Sequence, residues 1–297
     1  MKKRIVIITL TMLFLVSLTA ACNRNDDTVI RVGSKDFTES LIVAEIYSIA
    51  LEAAGFTVDR RGHNLSSGII HDAIVNNEID LYPEYTGTGL LTVLGLPLMT
   101  NPLEVYELVK QEYYQRYQIT WLDFTEAHNG QGIAVRTELA QELGIVTLSD
   151  LQRHAHELRF ATTAEFLDRE DGLPAMVAAF GPFDFYSVNI MGGGARYEAL
   201  RTNEADVSVV FTTDGHLYNT HYYTLLVEDI VIWPPYNLVP IVRNNILEDY
   251  PGARDALNRL APHFTTSALL HLNSQVIVYG RDIGEVAKEF FEALPND

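Results

Sequence analysis

The sequence predicts an α/β protein folded as two lobes of like construction, with a ligand cleft between them. Three observations support this reading. Strand-like and helix-like segments alternate from Thr28 onward. One helix–strand–turn unit occurs twice at a constant offset. The last third of the chain passes through a stiff aromatic turn and ends in helices, which suits a return to the first lobe. The 297 residues are 47% hydrophobic and 20% charged, ordinary globular composition with room for two domains. A formal charge of -18 argues against nucleic acid, whose phosphates require a basic face. A negative field suits a cationic small ligand.

The elements follow in chain order. Lys2, Lys3 and Arg4 precede an apolar run, residues 5–18, that is short for a membrane span, and Thr19, Ala20 and Ala21 lead into Cys22. Residues 1–21 therefore read as a secretory signal peptide. Cys22 is the only cysteine, so it has no internal disulfide partner. Its place after two alanines resembles a bacterial lipobox, which predicts lipid attachment at Cys22 and a polar tether over residues 22–27. Removing residues 1–21 leaves 18 Lys and Arg against 39 Asp and Glu, a net of -21. VIRVGS then reads as a strand and residues 39–54 as a helix, with Asp36 and Glu39 spaced as a capping box and Gly55 as the stop. FTVDRR is a strand. Residues 67–77 form a short helix with Ile69, Ile70, Ala73 and Ile74 inward, and EIDLY is the next strand. This alternation predicts a largely parallel sheet. From Gln131 a second series begins: the strand QGIAVR, the helices TELAQELG and TLSDLQRHAHEL, and the strand LRFATT. EFLDREDG reads as a polar loop, with Pro174 opening the next helix. A short helix over 197–203 and the strand DVSVV complete it.

The repeat aligns residues 73–89, AIVNNEIDLYPEYTGTG, with 199–215, ALRTNEADVSVVFTTDG, without gaps. Tyr85 falls on Phe211 and Thr86 on Thr212. Each lobe thus presents an aromatic ring just past the C-terminal end of a strand, where open α/β sheets bind ligands. Trp233, Pro234, Pro235 and Tyr236 form a stiff turn between strand-like runs, followed by helices over 247–260, 266–272 and 282–294. Residues 28–130 and 237–297 are assigned to the first lobe and 131–236 to the second. The two crossings near 129–131 and 233–237 would permit hinge closure.

Catalytic signatures are scarce. The sequence has no G-x-S-x-G, P-loop or H-E-x-x-H motif, and His154 and His156 are spaced to point to different helix faces. No cofactor, metal or catalytic residue is predicted. Aromatic residues in turns stand out instead: Tyr85, Phe211 and Tyr236. Ring faces attract cations that cannot donate hydrogen bonds, quaternary ammonium above all, at about 0.5–2 kcal/mol per contact. Arg169 and Lys35 lie in loops where they could meet a ligand's anionic end.

GSKDFTES, EIDLYPEYTGTG, EFLDREDGLP, FTTDG and WPPYN, in this order, resemble motifs of the substrate-binding lipoproteins of bacterial osmoprotectant ABC transporters. That family binds glycine betaine, choline, carnitine and related quaternary amines. The resemblance implies a type II periplasmic binding protein fold, a monomer tethered to the membrane by its lipid and a permease as partner. It also implies an aromatic cage of Tyr85, Phe211 and Tyr236, a carboxylate-binding Arg169, and Lys35 and Thr88 at the ligand's other end. Two positions depart from the family. Gln131 stands where a tyrosine is common, and Phe211 replaces another. An amide in place of a ring adds a donor and an acceptor, so choline, carnitine or ergothioneine fits Gln131 at least as well as glycine betaine. A cationic amino acid is the alternative ligand, with Glu84, Asp171 and Asp214 near the cleft. An extracytoplasmic enzyme would need a clustered acid, base or nucleophile.

Overall fold

The computed structural model describes residues 29–61 and 65–295; the expected signal peptide, Cys22 and the expected tether lie outside the described residues. The strands are β1 (Val29–Val32), β2 (Thr57–Arg60), β3 (Leu81–Tyr85), β4 (Ile119–Trp121), β5 (Gln131–Arg136), β6 (Arg159–Thr162), β7 (Ser187–Ile190), β8 (Val207–Phe211), β9 (Tyr223–Leu225) and β10 (Leu238–Arg243). They form two five-stranded sheets, β2-β1-β3-β10-β4 and β7-β6-β8-β5-β9. The two orders have the same pattern, with β3 and β8 at the centre. Each central strand has a parallel neighbour on one side and an antiparallel one on the other.

The sheets are therefore mixed, not largely parallel. The reason is connectivity. β10 arrives from the far end of the chain and inserts antiparallel between β3 and β4. β5 enters the second sheet antiparallel to both β8 and β9. Each sheet is buried on both faces. Leu81, Tyr85, Leu238 and Val242 pack on one side of the first sheet, against the helix Thr38–Ala53 and the C-terminal helices. Tyr82, Val239 and Ile241 pack on the other, with Trp121 and Tyr113. The alternation is that of pleated strands between two helical layers.

Several local expectations change. The helix Thr38–Ala53 has Phe37 at its N-cap with no side-chain cap, so Asp36 and Glu39 form no capping box. Ile69 is exposed, while Ile70, Ala73 and Ile74 are buried. β3 continues through Pro83 to Tyr85, so the tyrosine ends the strand itself. Part of EFLDREDG is helical, Ala164–Asp168, capped by the Thr163 hydroxyl. The helix expected over 247–260 is two, Asn244–Asp249 and Pro251–Asn258, because the residue before a proline resists helical geometry. The helix beginning at Thr266 runs on to Ile277. β4, β7, β9 and the helix Pro102–Tyr117 were not read from the sequence.

The repeat extends well beyond its aligned letters. Asp80 accepts from the Arg31 backbone N–H at 2.8 Å, from Arg31 Nη2 at 2.7 Å and from Arg243 Nη1 at 3.0 Å. Asp206, its counterpart, accepts from the Arg159 N–H at 2.9 Å, from Arg159 Nη2 at 2.8 Å and from Arg136 Nη2 at 2.9 Å. Asn77 and Asn203, also counterparts, both take left-handed backbone, with φ of 64° and 62°. Asparagine tolerates that region better than most residues.

The two threonines after the strands fasten the crossovers. Thr86 Oγ1 donates to the Pro235 carbonyl at 2.8 Å and accepts from the Asn237 N–H at 3.0 Å. Thr212 Oγ1 donates to the His128 carbonyl at 2.6 Å and accepts from the Gly130 N–H at 3.0 Å. The crossovers also bond each other, Asn129 N–H to the Tyr236 carbonyl at 3.0 Å, beside an antiparallel bridge between His128 and Asn237.

Candidate functional site

A cavity of about 900 Å³ lies between the sheets, lined by residues of both and of the crossovers. Lys35, Tyr85, Thr88, Gln131, Arg169, Phe211 and Tyr236 all line it. Glu84 and Asp171 do not; Asp214 does.

Lys35 sits at the first sheet's end of the cleft. Its ammonium is buried against the Glu84 carboxylate and lies 5.3 Å from the centroid of the Tyr85 ring. Glu84 also accepts from the Tyr82 hydroxyl at 2.9 Å. The Lys35 charge is thus paired at the cleft wall. Tyr85 is packed by Phe37, with centroids 5.9 Å apart, and its hydroxyl donates to Glu39 Oε1 at 2.7 Å. Burial and the Glu39 carboxylate push this phenol well above its ordinary range, so it remains a donor.

Glu39 joins the two halves. It accepts from Asn129 Nδ2 in the first crossover at 3.0 Å and from Asn273 Nδ2 at 2.7 Å. It is also hydrogen-bonded to the side chain of Thr213, just past β8. Burial pushes the Glu39 carboxyl up, and the bonds from Thr213, Tyr85, Asn273 and Asn129 oppose that shift. Its spacing suggested a helix cap, and that reading concealed its place in the cleft.

The opposite wall centres on Asp171. Arg169 grips it with Nε and with Nη2, the latter at 2.8 Å, and reaches Glu165 with Nη1 at 2.9 Å. Gln131 Nε2 donates to the Asp171 carbonyl at 2.8 Å and to its Oδ2 at 2.9 Å. The Tyr236 hydroxyl donates to the same Oδ2 at 2.9 Å. One carboxylate therefore orients an arginine, an amide and a cleft ring together. Tyr236 lies so close to the turn after β3 that a Cβ at Gly87 would come within 2.7 Å of its Cε1. That approach explains the first glycine of TGTG.

Phe211 pairs with Gln131 across β8 and β5 and is 43% exposed, the most open of the three rings. Its N–H is held by Asp214 at 3.0 Å, and Asp214 also takes the Tyr197 hydroxyl. Tyr197 stacks on His216, with centroids 4.2 Å apart and planes 8° apart. Burial lowers the His216 imidazole, against the opposing pull of the Asp214 carboxylate. Of this wall the sequence named Phe211 and Asp214 but not Arg196, Tyr197 or His216. Residues 197–203 read only as a short helix, which in the structure is Ala195–Arg201, and the signal that could have found Arg196 and Tyr197 is the glycine run at 192–194 just before.

The same architecture occurs in known proteins. The family model for the substrate-binding domain of ABC-type glycine betaine transport systems matches residues 28–293. The chain belongs to this family. The carnitine transport binding protein OpuCC of Listeria monocytogenes is 30% identical to this binding domain over 280 residues, 93% of this chain and 90% of that protein. The ergothioneine transport permease/ergothioneine binding protein EgtU of Helicobacter pylori is 30% identical over 265 residues. That match takes in 89% of this chain, which spans only 47% of EgtU. A solved glycine betaine/carnitine/choline ABC transporter structure superposes with a TM-score of 0.81 at 26% identity, covering 89% of this chain and 97% of that one. The fold is thus the two-lobed one of periplasmic binding proteins. Members of the family are extracytoplasmic substrate-binding proteins of ABC transporters and not enzymes. Among the described residues no helix is long and apolar enough to cross a membrane.

Proposed function

We propose that this binding domain captures a quaternary ammonium compound of the glycine betaine, choline and carnitine class and delivers it to the permease of an ABC importer. The ring faces of Tyr85, Phe211 and Tyr236 receive the methylated cation, and Cys22 carries the lipid that keeps the protein at the membrane. The observation that carries this reading is the convergence of the three rings on one cleft, from β3, β8 and the second crossover. Three such contacts at about 0.5–2 kcal/mol each, with apolar burial, are of the right order for micromolar binding, about -8 kcal/mol.

The carboxylates in and behind the cleft wall weigh against a cationic amino acid. Asp171 is paired with Arg169, Glu84 with Lys35, and Asp214 with the Tyr197 hydroxyl and the Phe211 N–H. A primary ammonium would have to displace one of these partners. A quaternary ammonium donates no hydrogen bond and needs only ring faces and a negative surrounding. Thermal shift with glycine betaine, choline, carnitine, ergothioneine, lysine and arginine tests the reading. At a hundredfold excess over Kd a true ligand stabilises by about 2.7 kcal/mol. Stabilisation by lysine or arginine with none by the methylated amines would refute it.

A further inference from the structure

One imidazole sits between the two crossovers. His128 opens the first crossover, behind the cavity wall rather than in it. Its Nδ1 accepts the Tyr236 N–H of the second crossover at 3.4 Å. The ring folds over Gly130 so closely that a Cβ there would clash with Nε2. Accepting that N–H requires a bare Nδ1, which places the neutral ring's proton on Nε2. Tyr236 is thus fixed at three points: its N–H by His128, its carbonyl by the Asn129 N–H at 3.0 Å, and its hydroxyl by Asp171 Oδ2 at 2.9 Å. Of these three only the first is switched by a proton near neutral pH. The groups in contact with His128 carry no charge: Thr212 bonds its carbonyl, Thr266 its N–H, and Asn237 bridges it. Charges stand one residue further off. Glu39 lies behind Asn129, Asp171 and Arg169 behind the Tyr236 hydroxyl, and the exposed Glu126 two residues back in the chain. Burial lowers the readiness of the His128 imidazole to take a proton, and among the described residues no charged side chain adds to or opposes this.

We infer that His128 is a positioning residue for the cage: its neutral imidazole spaces the crossovers and holds Tyr236, and protonation, which sets a second donor against the Tyr236 N–H, frees that ring and releases the ligand. This rests on the quaternary-amine reading and adds the condition under which the cage lets go. The sign follows from the contact. The closed form needs a bare Nδ1, whereas opened crossovers leave the imidazole in water, near its ordinary value of about 6.5. A group held neutral in the closed form takes up its proton on opening. Closure is therefore fully supported above that value and is progressively lost as pH falls below it. Choline has no group that titrates in this range, and the carboxylate of glycine betaine stays ionised well below it. A loss common to both ligands therefore belongs to the protein.

The test is calorimetry with choline and with glycine betaine from about pH 8 to about pH 5, with melting curves at each pH, on the parent, His128→Asn and His128→Leu. The parent should bind evenly above about pH 7 and about tenfold more weakly at about pH 5. Asparagine sets an amide oxygen where Nδ1 stood and does not titrate. His128→Asn should therefore stay within about threefold of the parent at about pH 7.5 and show no acid weakening. His128→Leu offers no acceptor and should bind about tenfold more weakly at every pH, again without acid weakening. If the leucine variant folds poorly, the asparagine variant carries the test. Acid weakening that persists in His128→Asn, or a parent that binds evenly throughout, overturns the inference while leaving the quaternary-amine reading intact. So does a folded His128→Asn that fails to bind at neutral pH, because the ring's bulk and not its bare nitrogen would then matter. A parent that binds neither ligand at about pH 7.5 sinks that reading, and the inference with it.

Discussion

Tyr85 shows how a residue can serve the cleft and the fold at once. Its ring lines the cavity, its hydroxyl is one of four groups on the buried Glu39, and the Lys35 ammonium lies near the ring. Tyr85→Phe keeps the ring face and removes one hydrogen bond of several. Binding of quaternary amines should fall by less than about threefold, with a modest drop in melting temperature. Tyr85→Leu keeps apolar bulk and removes the quadrupole, so affinity should drop by about 0.5–2 kcal/mol, up to some thirtyfold. Calorimetry beside thermal melts on the same variants separates the two effects. If Tyr85→Leu loses stability but binds every quaternary amine as the parent does, the ring is core and not cage. At this scale the sequence was legible where a residue type was out of place: a ring among glycines and threonines, an arginine in an acidic loop. Glu39 and Arg196 were illegible because their letters fit ordinary helix starts. Only tertiary packing reveals that Glu39 joins four partners and that Arg196, bonded to the Val209 carbonyl, lines the cleft.

The paired strand-end motifs carry the stability argument at the level of elements. In each sheet an aspartate just before the central strand collects two arginines from its neighbours, Asp80 with Arg31 and Arg243, Asp206 with Arg159 and Arg136. Burial pushes the Asp206 carboxyl up, but hydrogen bonds from Arg159 and Arg136 more than offset this and bring it to about 2. A carboxyl depressed in the folded state contributes stability that is present above its unfolded value, near 3.9, and lost as pH falls toward 2. Asp206→Asn should therefore cost about 1–2 kcal/mol at neutral pH, and the deficit should shrink between about pH 4 and pH 2. Denaturant titrations of parent and variant across that range check it; a deficit independent of pH would mean that shape, not charge, matters there. The aligned letters in residues 73–89 and 199–215 made the duplication visible. The mixed character of the sheets was not, because strand direction depends on where β10 and β5 enter, and a short strand such as β9 carries almost no periodicity.

The whole molecule is joined at more places than its two crossovers. Asn273, in the helix Thr266–Ile277, donates to the Thr213 carbonyl at 2.8 Å. The Gly215 backbone lies against the same helix, so that a Cβ there would come within 2.6 Å of the Asn273 carbonyl carbon. Gly215→Ala should push the lobes apart. It should weaken all quaternary amines by a similar factor, of about tenfold, as the closed form becomes less populated. Small-angle scattering should show a larger radius of gyration than the parent's, and an unchanged radius with unchanged affinity would refute this third tie. Attachment is a separate matter at the same scale. Cys22→Ala should move the protein out of the membrane fraction or block its maturation, and unchanged membrane retention would refute the lipid anchor.

The position of β10 has a consequence for how the chain is made. Strand β10 is the seam between β3 and β4, yet more than a hundred residues separate it from β4 in sequence. A chain that emerges N-terminus first can complete the second sheet, whose strands are all consecutive, before the first sheet has its central seam. Until residue 243 appears, β3 and β4 have unpaired edges facing each other, the kind of surface that invites wrong partners. The half of the molecule that begins first is thus the half that finishes last, and any factor that guards the growing chain would act on residues 29–121.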